Sequence, residues 1–286
     1  MGGLLPGGYV DADGRLHREV ELAVLTGREE ELLTQARHPR PAELVTEVLS
    51  RCVRRLGTIS PVPPAVARGL LVADRQYLLL QLRRATFGDR VRADLFCPWP
   101  DCGQRVSLDF SLADVPVEPP AEPGPVHTAT LADGRDLVFR LPTGADQEEL
   151  AGRLAENEAA ALTALLARCL LRLGPVEHPG PDELAALPVT VRAEIEDRLR
   201  AVAPSVAQTM DAQCTECGRA FVAPFDVQRF FLGELRTDGA ALYQEVHYLA
   251  YHYHWAEAEI MDMTRDKRRT YIDVLADAIG ALNDGA

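Results

Sequence analysis

Hydrophobic and polar positions alternate in two short stretches, LHREVELAVL after Asp13-Gly14 and RDLVFRL after Gly134 of Asp133-Gly134. A period of two beside an Asp-Gly dipeptide predicts a β-hairpin at each site, because the glycine takes the positive φ of a tight turn. The period then lengthens. Leu44, Val48, Cys52 and Leu56 recur every four residues, which predicts a helix with one buried stripe and Gly57 as its C′ residue. Thr26 or Gly27, and Thr143 or Gly144, stand where a helix N-cap belongs, and the acidic starts REEELL and ADQEEL that follow complement the positive end of a helix. Near the C-terminus Leu242, Val246, Leu249 and Tyr253 form another helical stripe, which Trp255 interrupts. Glu257 to Met263 reads as a short helix, and Thr264 caps a last one through Ile279.

These patterns repeat 117 residues apart. Thr26-Gly27 recurs as Thr143-Gly144, Arg51-Cys52-Val53-Arg54-Arg55-Leu56-Gly57 as Arg168-Cys169-Leu170-Leu171-Arg172-Leu173-Gly174, and Cys97 as Cys214. Self-similarity at a fixed offset is the mark of a duplicated unit. The stretch VPVEPPAEPGPV favours extended structure and marks a linker. The expected organisation is a first repeat over residues 1–122, a second over 123–225, and a C-terminal helical interaction element over 226–286 with no counterpart in the first half. The fold class is α+β: in each repeat a strand pair, helices and a cysteine-bearing hairpin.

Length and composition narrow the function. At 286 residues, 47% hydrophobic and 26% charged, the chain suits about two globular domains and is not disordered as a whole. The net charge of −13 opposes a nucleic-acid partner, since phosphate neutralisation supplies most of such affinity. No apolar run reaches the about 18 residues a membrane span needs, and the N-terminus lacks the basic and apolar regions of a signal peptide. A cytoplasmic location is expected, with no membrane partner.

In that compartment thiols stay reduced, and cysteine pairs point to metal. Cys97-Pro-Trp-Pro-Asp-Cys102-Gly103 and Cys214-Thr-Glu-Cys217-Gly218 are two knuckles. Four thiolates complete a tetrahedral structural zinc site and leave no position open for substrate. An iron–sulfur cluster also takes four thiolates, but knuckle-plus-glycine spacing favours zinc. One knuckle from each repeat makes a shared ion a staple between them. Cys52 and Cys169 lie on apolar faces and read as core residues. His247, His252 and His254 read as packing or interface histidines. The run Arg265-Asp266-Lys267-Arg268-Arg269 reads as a solvated face or a protein-contact patch. No phosphate-binding loop, G-x-S-x-G elbow or H-E-x-x-H motif occurs, so neither an enzyme nor a small-molecule substrate is expected.

The segments LHREVELAVLTGREEELL, RCVRRLG, ADRQYLLLQLRRATFGD, the two knuckles and EVHYLAYHYHWAEAEIMDMTRDKRRTYIDVL resemble the zinc-ribbon-containing baseplate proteins of contractile phage tails and of phage-tail-like contractile injection systems. The most specific parts are Thr26 to Glu31, Asp74-Arg75 with Thr86-Phe87-Gly88, and the block from His247 to Trp255. The resemblance implies a structural or assembly role at the baseplate hub of such a particle in the bacterial cytoplasm. Partners would be other baseplate, spike or hub, or tape-measure proteins. Aromatic and arginine side chains usually anchor such contacts, which selects Tyr251, Trp255, Arg268 and Arg269. Two alternatives are a zinc-ribbon adaptor on nucleic acid or the transcription machinery, and a thiol oxidoreductase using the cysteine pairs.

Overall fold

The computed structural model describes residues 2–34, 41–237 and 239–284. Strands β1 (Gly2–Val10) and β2 (Leu16–Leu22) pair antiparallel around the expected turn, where Gly14 takes φ 79°. Helices α1 (Gly27–Thr34) and α2 (Pro41–Cys52) follow. The chain then enters strand β3 (Val53–Leu56), which joins β2 and gives the sheet order β1-β2-β3. Here the four-residue stripe misleads: the helix stops at Cys52, not at Leu56. The exposed edge of β2 needs a hydrogen-bonding partner, and Leu56, paired with Val20, reaches the same core from a strand. Gly57 is thus a turn residue after a strand, at φ 56°, with its amide donating to the Glu19 carbonyl at 2.7 Å. Helices α3 (Pro64–Gly69) and α4 (Val72–Phe87) and the hairpin β4 (Arg90–Phe96)–β5 (Arg105–Ser111) complete this unit.

The same order returns after strand β6 (Val117–Glu118). Strands β7 (His127–Thr130) and β8 (Asp136–Phe139) lead to helices α5 (Gly144–Glu156) and α6 (Glu158–Cys169), then strands β9 (Leu170–Leu173) and β10 (Val176–Glu177), in the sheet order β10-β9-β8-β7. Helices α7 (Pro181–Ala185) and α8 (Val189–Val202) follow, and strand β11 (Ser205–Val206) pairs back onto β6. The hairpin β12 (Thr209–Gln213)–β13 (Ala220–Pro224) closes the second unit. The correspondence reaches single bonds. Ala23 N donates to Cys52 O as Arg140 N donates to Cys169 O, and Gly57 N to Glu19 O as Gly174 N to Asp136 O. At each helix start an acid three residues on, Glu29 or Asp146, accepts from the amide and hydroxyl of Thr26 or Thr143.

Among the described residues, four helices follow: α9 (Val227–Thr237), α10 (Gly239–Tyr253), α11 (Glu257–Met261) and α12 (Arg265–Asp284), the last running past Ile279. One bend of this segment meets the first unit as an earlier bend meets the second. At the second helix start, Gly144 N donates to Leu70 O and Val72 N to Pro142 O, so the bend between α3 and α4 bridges Thr143. At the first, Gly27 N donates to Met263 O, and the bend between α11 and α12 bridges Thr26 in the same antiparallel sense. Each Thr-Gly corner therefore receives a helix pair.

Packing crosses the sequence divisions at 122 and 225. The largest core joins Leu5, Val20, Leu49 and Leu78 of the first unit to Val206, Phe225 and Phe231. The β6–β11 pairing carries the chain back across the first unit before the second hairpin forms, which puts residues after 205 against α4. A second core gathers Leu137, Phe139, Leu170, Leu184 and Ile195, and a third Leu242, Val246, Leu249, Ile260 and Met261.

Candidate metal centre

Two hairpins far apart in sequence meet at their tips. The Cys97 amide donates to Gln104 O at 2.8 Å and the Cys214 amide to Arg219 O at 3.0 Å, so each first cysteine begins a tight turn. Gly103 and Gly218 follow the second cysteines with φ 58° and 69°, a left-handed conformation that a side chain disfavours. The Sγ atoms of Cys97, Cys102, Cys214 and Cys217 all lie within 4.8 Å of one another. Cys97 Sγ is 3.8 Å from Cys217 Sγ, and Cys102 Sγ is 3.7 Å from Cys214 Sγ. With metal–sulfur bonds of about 2.3 Å, a tetrahedral ion separates its thiolates by about 3.8 Å, which these two separations match, so the donor set suits a four-coordinate ion. Both of these separations run between hairpins. Cys97 and Cys214 are buried, and Val106, Leu108 and Phe221 pack around the cluster.

The long first knuckle has a use that its spacing does not reveal. Its extra residues present Trp99 and Asp101 to Arg219 of the second hairpin, which pairs with Asp101 at 2.6 Å and lies over the Trp99 ring at 5.0 Å. Arg219 also acts on sulfur: its backbone amide foremost, and then its guanidinium, draw the Cys217 thiol down to about 6. A thiolate is the form that binds metal. The only signal for this tie in the sequence is an arginine directly after the knuckle glycine. Cys52 and Cys169 are buried in the helix–sheet cores, where burial raises each thiol to about 12.

The selected contact residues divide. Tyr251 is 69% exposed and Arg269 also faces solvent. Trp255 is half-buried, stacked on Tyr253 at 4.6 Å and edge-on to Tyr271 at 4.8 Å. Arg268 is not a surface residue. Its side chain is fully buried, with Nη2 on Glu30 at 2.9 Å, Nε on Glu245 at 2.8 Å and Nη1 on Met263 O at 2.9 Å. Arg265, three residues earlier and so on the same helical face, is also buried, with its guanidinium over Phe87. The basic run thus turns one side inward to hold α12 against α1, α10 and α4. Tyr248 meets His252 edge-on at 4.7 Å, and His247 lies beside Tyr251. His254 falls beyond α10 at φ 54°, so helical spacing does not govern its direction.

Among the described residues no helix is long and apolar enough to cross a membrane. A family model described as T4 bacteriophage base plate protein matches residues 12–232, which include both knuckles. No curated protein and no solved structure matches the chain.

Proposed function

We propose a specific structural role from one premise: the chain belongs to the T4 bacteriophage base plate protein family. Membership makes it a structural component of a phage baseplate that associates with other baseplate proteins. The finer reading is a hub-proximal subunit or assembly factor of a contractile tail or phage-tail-like injection system, built in the bacterial cytoplasm, with no catalytic role. The observation that carries it is the cysteine cluster. All four thiols are used on one position, which suits a clamp between two parts of a scaffold and leaves no site for a substrate.

The ion is zinc in this reading, held by Cys97, Cys102, Cys214 and Cys217. It supplies thermodynamic coupling between the hairpins, because a site absent from the unfolded chain adds its binding energy to folding. The equivalences between the two units support an internal duplication. Tyr251, Trp255 and Arg269 remain the proposed contacts of the C-terminal element with hub or tape-measure proteins, while Arg268 works inside the chain. Quantitative mass spectrometry of purified particles tests the role. Retention at a fixed ratio to sheath and spike marks a permanent subunit, presence only in sheathless intermediates marks an assembly factor, and absence from both overturns the reading.

A further inference from the structure

Three helix pairs carry the same device. A bend leads into the longer helix, and an arginine stands four residues after the bend residue: Leu71 and Arg75, Pro188 and Arg192, Thr264 and Arg268. Two of the bends are covered by Thr-Gly corners of this chain, Thr143 on Leu71 and Thr26 on Thr264. Among the described residues, nothing covers the third, between α7 and α8.

That third bend is prepared in the same way. Pro188 holds φ −53°, ψ 144°, against −59°, 150° at Leu71. Arg192 donates to Thr163 Oγ1 at 2.8 Å as Arg75 does to Thr46 Oγ1 at 2.8 Å; Thr163 donates in turn to Ala159 O, whereas Thr46 donates to the Glu148 carboxylate that the covering corner brings. What differs is exposure. Val45 is 1% exposed and its equivalent Leu162 is 37%; Val72 is half-buried and its equivalent Val189 is 81% exposed. The Leu187 carbonyl and the Val189 amide correspond to the Leu70 and Val72 groups that make the bridge, and neither has a partner among the described residues. An open backbone pair beside exposed Val189, with Arg192 one turn on, is a binding edge left unfilled.

We propose that this face of the second unit docks a helix start of another protein: a Thr-Gly or Ser-Gly corner at the end of a strand, with an acidic residue in the first two turns. The two filled faces define that occupant. A glycine is needed because a Cβ on Gly144 would lie 2.3 Å from Arg75 Nη1, and one on Gly27 would lie 3.0 Å from the Met261 sulfur. An acid suits the site because each filled face holds one, Glu148 on Arg68 and Glu30 on Arg268; the open face has Ala185 at the place of Arg68 and offers Arg192 at the place of Arg268. A second copy of this chain is a poor occupant, since both of its own corners are already engaged. Such a contact is heterologous, with donor and acceptor surfaces that differ. The inference rests on the baseplate reading only for where the partner is sought.

The test uses the full chain in producing cells, with a photo-crosslinking amino acid at Val189 and, as control, at exposed Val222 of β13. Crosslinked peptides are sequenced. The expected result is capture from Val189 of a peptide containing Thr-Gly or Ser-Gly followed within two turns by Asp or Glu. Capture should fall about tenfold when Arg192→Glu and Leu162→Asp are added, in a chain whose circular dichroism and metal content are unchanged. Capture of a second copy, of a segment without such a corner, or at no more than the Val222 level overturns the proposal. Particle retention reads the baseplate role separately: a chain absent from particles that still captures such a corner sinks that role and leaves the docking face standing.

Discussion

The two units separated by 117 residues follow the same local rules and end with different surfaces. Ala42 and Arg75 of the first are buried, with the Arg75 guanidinium against Gly144 of the Thr143 corner, while Ala159 and Arg192 of the second are wholly or partly open. Equal sequence chemistry thus gives unequal burial, because burial is decided by what arrives from elsewhere in the chain. The knuckles differ in the same spirit. The longer one carries Trp99 and Asp101, which reach across to Arg219; the shorter one carries only the arginine that receives them.

The largest expected effect removes this pairing at its centre. Cys97→Ser and Cys214→Ser should lower the melting temperature by the same large amount, since each breaks one shared site, and structural metal sites in small domains contribute on the order of 10 kcal/mol. Calorimetry with and without chelator checks this, and a chain indifferent to chelator breaks the comparison at its root.

Next in size are the corner glycines. Gly144→Ala should cost about 2–4 kcal/mol, because the new methyl strikes the buried Arg75 guanidinium. Gly27→Ala should cost less, as its methyl would meet the Met261 sulfur and backbone at 3.0–3.1 Å and not at 2.3 Å. Gly152→Ala, with nothing within 4 Å inside helix α5, should stabilise by up to about 1 kcal/mol. Urea melts of the three variants give the order directly.

The covered and open faces separate again at their threonines. Thr46→Ala should cost about 1–3 kcal/mol, since it strips a partner from a buried arginine. Thr163→Ala should cost under about 1 kcal/mol, because Arg192 can turn to water.

A smaller asymmetry is acid sensitivity. Burial disfavours the Asp146 carboxylate, but Arg140 and Arg168, with the Thr143 amide, outweigh it and hold the group well below the ordinary 3.8. Its contribution is complete above that value and is lost as pH falls through the lower folded value. The residue equivalent to Arg140 in the first unit is Ala23. Asp146→Asn should therefore flatten the acid limb of the stability profile, which acid titration of the melting temperature checks.

Much of this was legible in the residues. The Asp-Gly turns, the Thr-Gly helix starts and the knuckles are set by bonds within a few positions, and the mixed α+β class follows from them. Strand β3 was hidden because Leu56 keeps helical spacing with Cys52 while a sheet edge claims its backbone. Arg268 was read as exposed since its neighbours are charged; Glu30, more than 200 residues away, buries it. The tie of Arg219 to Trp99 and Asp101 likewise joins positions that only folding brings together.

The most direct test of the shared clamp is elemental analysis of the purified full chain beside Cys97→Ser and Cys214→Ser. One zinc per chain, absent from both variants, is the predicted result. Zinc retained in full by either variant, or a native chain without metal, would contradict a single ion held between the two hairpins.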